Sequence, residues 1–518
     1  MRTIAIATLL AAAVVTLGAP ASSARSLDGT VKVGGVFLDQ TGDRTAVQEI
    51  SDVYDGFALS QIRLDGSLDP RQYVMLDLRD INLDSRQGDL LYRMPGTLKL
   101  TAGYVQHRRI FSPDGAVNSD RKDWRAGAQF TPHKWLALSG SFNAYNRGGD
   151  RLAFPLGTAG TLGTRYDDAL KSGRLAADVH RGRNGGGISY SISSYSNDLE
   201  TAAKRTGQVV AARFYTPFLF YDKWTHLFRG AYGIQKLSDS GIDHTLSLFE
   251  YTTVIEPTGA FQLRYNFNAS RVDDEATRLK TDRFQNDVDA TYSYKYGRVR
   301  GGYGYETNDD RSLTYYHSWR AGTDFNQGKR LRATVDYAGR VKKDQEQLTL
   351  LQDIESYRVR GKLQVQPVEG VAVGGGYSKR QREFTGIGVK VDGDVANGFG
   401  RYTREGWGAL FADYSYSNDK YVDRVGRFDT QSYIVTGRVE IGRIKNLQLA
   451  GGVTYLKFTK DLDIEKSLVF VEGAYRLLDD YRLEVKYNVY NYDDYVLLDR
   501  YYTANVVRVN LAYDLHLR

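Results

Sequence analysis

The stretch from Tyr357 to Gln366 places Arg358, Arg360 and Lys362 at alternate positions, among Tyr357, Val359, Gly361, Leu363 and Val365. Arg264 stands the same way between Leu263 and Tyr265, Arg482 and Lys486 among Leu483, Val485 and Tyr487, and Arg508 between Val507 and Val509. A period of two is the mark of a strand, whose successive side chains point to opposite faces. These cations therefore share polar strand faces. Such a face either lines water as a hydrated wall, or contacts or favours anions.

No other residue type carries a stronger chemical signal. The histidines are His107, His133, His180, His226, His244, His317 and His516, with no H-E-x-x-H pair among them. The chain has no cysteine, so a Cys/His zinc cluster and a C-x-x-C-H haem attachment are both absent from its sequence. Asn308-Asp309-Asp310 and Asp493-Asp494 offer the carboxylates that Ca²⁺ prefers but lack EF-hand spacing, and solvated loop charge is the simpler account. Gly374-Gly375-Gly376 sits within an alternating stretch with no helix after it, a bend or close-packing position and not a phosphate cradle. A Ser–His hydrolase site is recognised by geometry, so its partners cannot be chosen at this level. No catalytic, cofactor-binding or metal-binding residue is assigned.

The elements that would carry the cations recur along the whole chain. Phe261 to Ala269, Tyr481 to Val489 and Val507 to Leu517 all alternate apolar and polar residues. Each such run spans roughly 9–11 residues, the length of a tilted strand that crosses a bilayer. Short turns rich in Pro, Gly and Asn/Asp stand at Asp69–Gln72, Met94–Gly96, Thr131–Lys134, Glu256–Gly259 and Tyr296–Arg298. Others follow at Asn326–Arg330, Gln366–Gly370, Gly442–Asn446 and Leu478–Asp480. Longer polar loops lie between them, among them Asp39–Gly56, Arg108–Asp123, Arg147–Lys171, Ser270–Asp282, Val341–Asp353 and Asn418–Thr430.

Short turns on one side and long loops on the other are the plan of an outer-membrane barrel with both termini in the periplasm. The rhythm predicts an all-β chain: a single antiparallel transmembrane barrel of about 26 strands over residues 25–518, at about 19 residues per strand and connection. Leu90–Arg93 and Gly398–Thr403 are its weakest members, and without them the count is 22 or 24. A soluble sandwich or propeller is the rival all-β reading. It leaves the tyrosines near segment ends unexplained, whereas a barrel expects interface girdles there.

Met1-Arg2, the apolar run Ile4–Gly18 and the small residues before Arg25 read as a secretory signal peptide over residues 1–24. Beyond Gly18 no apolar run is long enough for a membrane helix. A net charge of +7 over 518 residues is mild and leaves no nucleic-acid footprint.

A ring of 26 strands poses a question of size. Porins of 16–18 strands already enclose a water channel, and 22-stranded transporters carry a plug. A TonB-type transporter brings that plug as an N-terminal domain, and strand-like alternation from Val31 leaves no room for one. Loops, or another protein, are then expected in the lumen.

Val31–Gly66 (VKVGGVFLDQTGDRTAVQEISDVYDGFALSQIRLDG) and Gln72–Ser112 resemble the opening strands of the MtrB/PioB-type outer-membrane barrels of porin–cytochrome electron conduits. The specific part covers about a fifth of the chain; beyond it the likeness is architectural. The resemblance implies a non-catalytic sheath around a multihaem c-type cytochrome, with haem carried by the partner alone, supporting electron transfer across the outer membrane. Some members carry a cysteine pair near the N-terminus, and this chain has none. A diffusion porin or solute channel is the alternative.

The tail makes one further demand. A barrel in lipid has no open edge, so the last strand must pair with the first near Val31–Phe37. Val507, Val509, Leu511, Tyr513, Leu515 and Leu517 would then face lipid, with Arg508, Asp514 and His516 facing the lumen.

Overall fold

The computed structural model describes residues 26–42, 55–110, 118–150, 165–197, 204–218, 221–237, 242–275, 277–310, 312–328, 330–346, 352–442, 444–495 and 500–517. The leader proposed for residues 1–24 lies outside them. Twenty-six strands run from β1 (Ser26–Gly42) to β26 (Arg500–Leu517). Each pairs antiparallel with its neighbours in sequence, and β26 returns to pair with β1. At this seam Val31 faces Tyr513 and Phe37 faces Val507. The ring is closed, as a sheet in hydrocarbon must be, because an open edge would strand backbone donors and acceptors away from water.

The two faces differ as the alternation requires. On β26 the side chains of Val506, Asn510 and Ala512 are buried, whereas Leu511 and Tyr513 on the other face are 39% and 37% exposed. Val453, Val469, Val471 and Val485 continue the exposed apolar face through β23 (Leu447–Lys460), β24 (Ile464–Arg476) and β25 (Tyr481–Asp494). A band of this extent is what a bilayer covers. Trp135, Tyr296, Trp407, Tyr481 and Tyr513 are exposed at the short-turn end, where an interface girdle belongs.

Both weak segments are strands: Leu90–Arg93 falls in β4 (Arg86–Met94) and Gly398–Thr403 in β20 (Val389–Arg404). Among the described residues two short turns escape the sequence reading, at Gly182–Arg183 and Glu405–Trp407, where Gly182 and Gly406 adopt φ of 62° and 72°. Strand length departs from the expected 9–11 residues. Apart from β3 (Gln72–Arg79) and β4, the strands run 13 to 18 residues. The ladder continues beyond the apolar band, where both faces are polar and the alternation fades, so the loops are shorter than the sequence suggests.

β3 and β4 have 8 and 9 residues, and their shortness has a local cause. The chain leaves the ladder at Asp80, with φ of 49°, and doubles back onto β2 (Gly56–Asp69). Asp80 N–H donates to the Ser60 carbonyl at 2.9 Å and Ile81 N–H to that of Leu59 at 3.0 Å. On the long-loop side the wall is therefore lower here than beside β2 and β5 (Leu98–Ile110), which extend past it.

Strand number sets the width. With strands about 4.8 Å apart and tilted about 40°, 26 strands close into a ring about 50 Å across, backbone to backbone.

Candidate functional site

The candidate site is the polar face of the wall, the face that would line the inside of a ring whose apolar face meets lipid. The expected cations all lie on it, and the structure sorts them by partner. Arg360 donates to Asp336 at 3.0 Å, Arg482 to Glu484 at 3.0 Å and Arg508 to Asp80 at 3.2 Å. Lys486 Nζ lies 3.7 Å from Glu472, and Arg264 donates to the Asn266 side chain at 3.0 Å. Arg358 and Lys362 have no carboxylate within ion-pair distance among the described residues.

A recurring arrangement holds the paired arginines flat. In β15 (Gly297–Asp309), Gly302 lies directly between Arg320 of β16 (Leu313–Gln327) and Asp289 of β14 (Leu279–Tyr294). The guanidinium spans the glycine and binds the carboxylate two strands away, at 2.5 Å from both Nε and Nη2. Four more rows repeat this geometry. Arg300 crosses Gly322 to Asp336, Arg125 crosses Gly103 to Asp89, Arg213 crosses Gly187 to Asp178, and Arg380 crosses Gly393 to Asp419.

Glycine is needed there for space. A Cβ at Gly322 would lie 2.7 Å from Asp336 Oδ1 and 2.9 Å from Arg300 Nε, and one at Gly393 would meet Asp419 Oδ1 at 2.5 Å. Each bridge is partly exposed and contributes little alone, about 0.2–1 kcal/mol. Their joint effect is to lay long side chains along the wall, which keeps the interior wide. We expect Gly322→Ala to cost roughly 0.5–1 kcal/mol in a urea titration of the barrel folded into vesicles, and less in an Asp336→Asn background. Equal losses in both backgrounds would show that the glycine acts through the backbone alone.

On the long-loop side Asp353 ties two connections together. It accepts from Asp344 N–H at 2.9 Å and Lys343 Nζ at 3.0 Å, and its carbonyl accepts from Thr385 N–H at 3.0 Å. Burial raises its pKa, but the Asp344 amide and the Lys343 ammonium outweigh that and hold the carboxyl below the ordinary value.

The acidic clusters do not assemble. Asp309 ends β15, and Asp494 ends β25 and accepts from the Tyr492 hydroxyl at 3.1 Å. Among the described residues no three His, Cys, Asp or Glu side chains gather as a metal site. The sequence reading also missed an apolar patch on the polar face. Val36, Ala58 and Val506 are buried there, with Leu38 and Tyr490 packed against them.

No family model matches the chain, and no curated protein matches it by sequence. Solved structures do. The chain is similar to the siderophore receptor PirA from Acinetobacter baumannii, with a TM-score of 0.52 and 7% identity over 96% of this chain and 81% of that one. It is also similar to the FrpB iron transporter from Neisseria meningitidis, with a TM-score of 0.51 and 9% identity over 95% and 81%. At such identity the likeness is one of fold. Together with the closed ring and its apolar belt, it makes this chain an outer-membrane β-barrel.

Proposed function

We propose that the barrel is a non-catalytic sheath for a protein seated in its lumen. The occupant in this reading is a multihaem c-type cytochrome, and the pair supports electron transfer across the outer membrane. The observation that carries the proposal is the width of the ring set against what the described residues contain. They form wall, turns and connections, and the wall's bridged arginines lie flat against it. With side chains about 5–6 Å deep on each wall, a ring about 50 Å across leaves about 40 Å clear. A folded domain of 100 residues has a radius of gyration of about 13 Å and fits that space.

The resemblance of Val31–Ser112 to porin–cytochrome barrels supports the identity of the occupant. Haem would reside on the partner, since this chain has no cysteine for c-type attachment. In such an assembly the haem groups supply the electron path, and this chain supplies a hydrogen-bonded wall between that path and the lipid.

Reconstitution tests the reading. The purified barrel in liposomes should leak large solutes without selectivity, and should close to them when a haem protein from the same outer membrane is restored. Stable, selective conductance by the barrel alone, with no haem protein bound, would leave the alternative of a solute channel standing.

A further inference from the structure

The ion-paired order of the wall is incomplete over four adjacent strands: β17 (Leu331–Asp344), β18 (Ile354–Val368), β19 (Val371–Phe384) and β20. Arg332, Arg358, Lys362, Arg382 and Arg401 lie on their polar face and are exposed. Among the described residues none of the five has a carboxylate within ion-pair distance. Arg382 lies over the Phe384 ring at 5.8 Å, and Arg401 over that of Phe411 at 5.3 Å.

The carboxylates on the same face of these strands are already engaged. Asp336 is shared by Arg300 and Arg360, and Asp344 accepts from Ser312. Arg358 stands directly opposite Arg380 in the ladder, a like-charge placement that disfavours the pairing of the strands. Arg380 reaches away to Asp419 on the far side, and Arg358 has no such outlet. A stripe of unmatched cations maintained against this repulsion needs a reason outside the wall.

We propose that this stripe is the docking surface for an acidic polypeptide face inside the ring. The inference rests on the sheath reading and adds the chemistry by which the occupant is held. Width argues against a role in sorting small ions. Charges are screened over about 8 Å at physiological salt, whereas the opposite wall is about 50 Å away, so a one-sided stripe acts only on something seated against it. Height argues for a macromolecule. From the level of Arg332, opposite Gln364, to that of Arg382, opposite Ser356, the ladder rises eight residues, about 27 Å along the strands. One small anion touches only part of that span.

The test uses the full barrel in planar bilayers, with poly-L-glutamate as probe and poly-L-lysine as its opposite. Poly-L-glutamate should block conductance at concentrations where poly-L-lysine does not. The triple variant R358E/K362E/R382E should raise its half-blocking concentration at least about tenfold, as should 1 M salt. R174E/R205E, with charge reversed elsewhere on the ring, should leave the block unchanged. If reversal impairs folding, R358Q/K362Q/R382Q gives the same readout, and it should fold at least as well as the wild type because it relieves the Arg358–Arg380 repulsion.

Equal block of wild type and variants, or no block of the wild type, overturns the docking surface. A second arm separates this from the sheath reading. Soret absorbance is measured on tagged barrel purified from its own outer membrane. Haem retained equally by wild type and triple variant overturns the docking surface and leaves the sheath intact. Variant-sensitive block with no haem on the wild type supports the acidic docking surface and removes the cytochrome.

Discussion

Val453→Arg should prevent or severely weaken insertion, while Thr454→Arg, one residue along the same strand, should be tolerated. Val453 lies mid-strand on the apolar face and is 41% exposed, so its side chain meets acyl chains. An arginine at the bilayer midplane on that face costs about 2–4 kcal/mol. Thr454 lies on the opposite face, across the ladder from Thr436 of β22 (Arg427–Ile441), where an added cation meets water or the occupant. The measurement is the fraction of heat-modifiable barrel after refolding into vesicles, with urea midpoints for both variants. Equal penalties would refute the assignment of faces, and with it the lumen reading of every cation discussed above.

The second large effect belongs to the seam. At Gly34 an added Cβ would fall on the carbonyl oxygen of Val509 and lie 2.8 Å from the Asn510 Cα, so Gly34→Ala forces β1 and β26 apart. Backbone cannot yield as a side-chain tip does. Overpacking of this kind costs about 1–3 kcal/mol where the surroundings relax, and more where they do not. This ladder closes the ring, so we expect little folded barrel from Gly34→Ala. Gly361→Ala is the control, because a Cβ there meets nothing within 4 Å and alanine suits a strand better than glycine. Wild-type yield from Gly34→Ala, measured by protease resistance in vesicles, would show that the seam has slack.

These two sites also mark how far the sequence could be read. Alternation from Val507 to Leu517 identified the terminal strand, its two faces and its partner, because a lipid face and a polar face impose a period of two. The same logic failed at strand ends. Arg271 and Asp282 pair at 2.7 Å on strands β13 (Phe261–Asp274) and β14, inside a stretch that reads as loop, since beyond the apolar band no face need be hydrophobic.

The cations were legible as a face and illegible as a site. Arg300 and Asp336 are 36 positions apart, and Arg380 and Asp419 are 39 apart. Only strand register shows that a glycine separates each pair. Arg358 and Arg360 look identical in the chain, yet one is bridged to Asp336 and the other faces Arg380. The signal that could have helped is the glycine on the polar face between an arginine strand and an aspartate strand. It becomes visible once the register is known.

The short wall at β3 and β4 bears on how the barrel sits. Eight or nine residues tilted by about 40° rise only about 20 Å, less than the apolar band of about 25 Å that a barrel usually presents. The other strands exceed that height. Hydrophobic mismatch is thus confined to one sector of the circumference. Either the bilayer thins against β3 and β4, or the barrel leans until that sector is covered. Both responses break the rotational symmetry of a ring in a flat membrane. The molecule then has either a preferred lean or a preferred lipid environment on one side, set by Asp80, where the chain turns back.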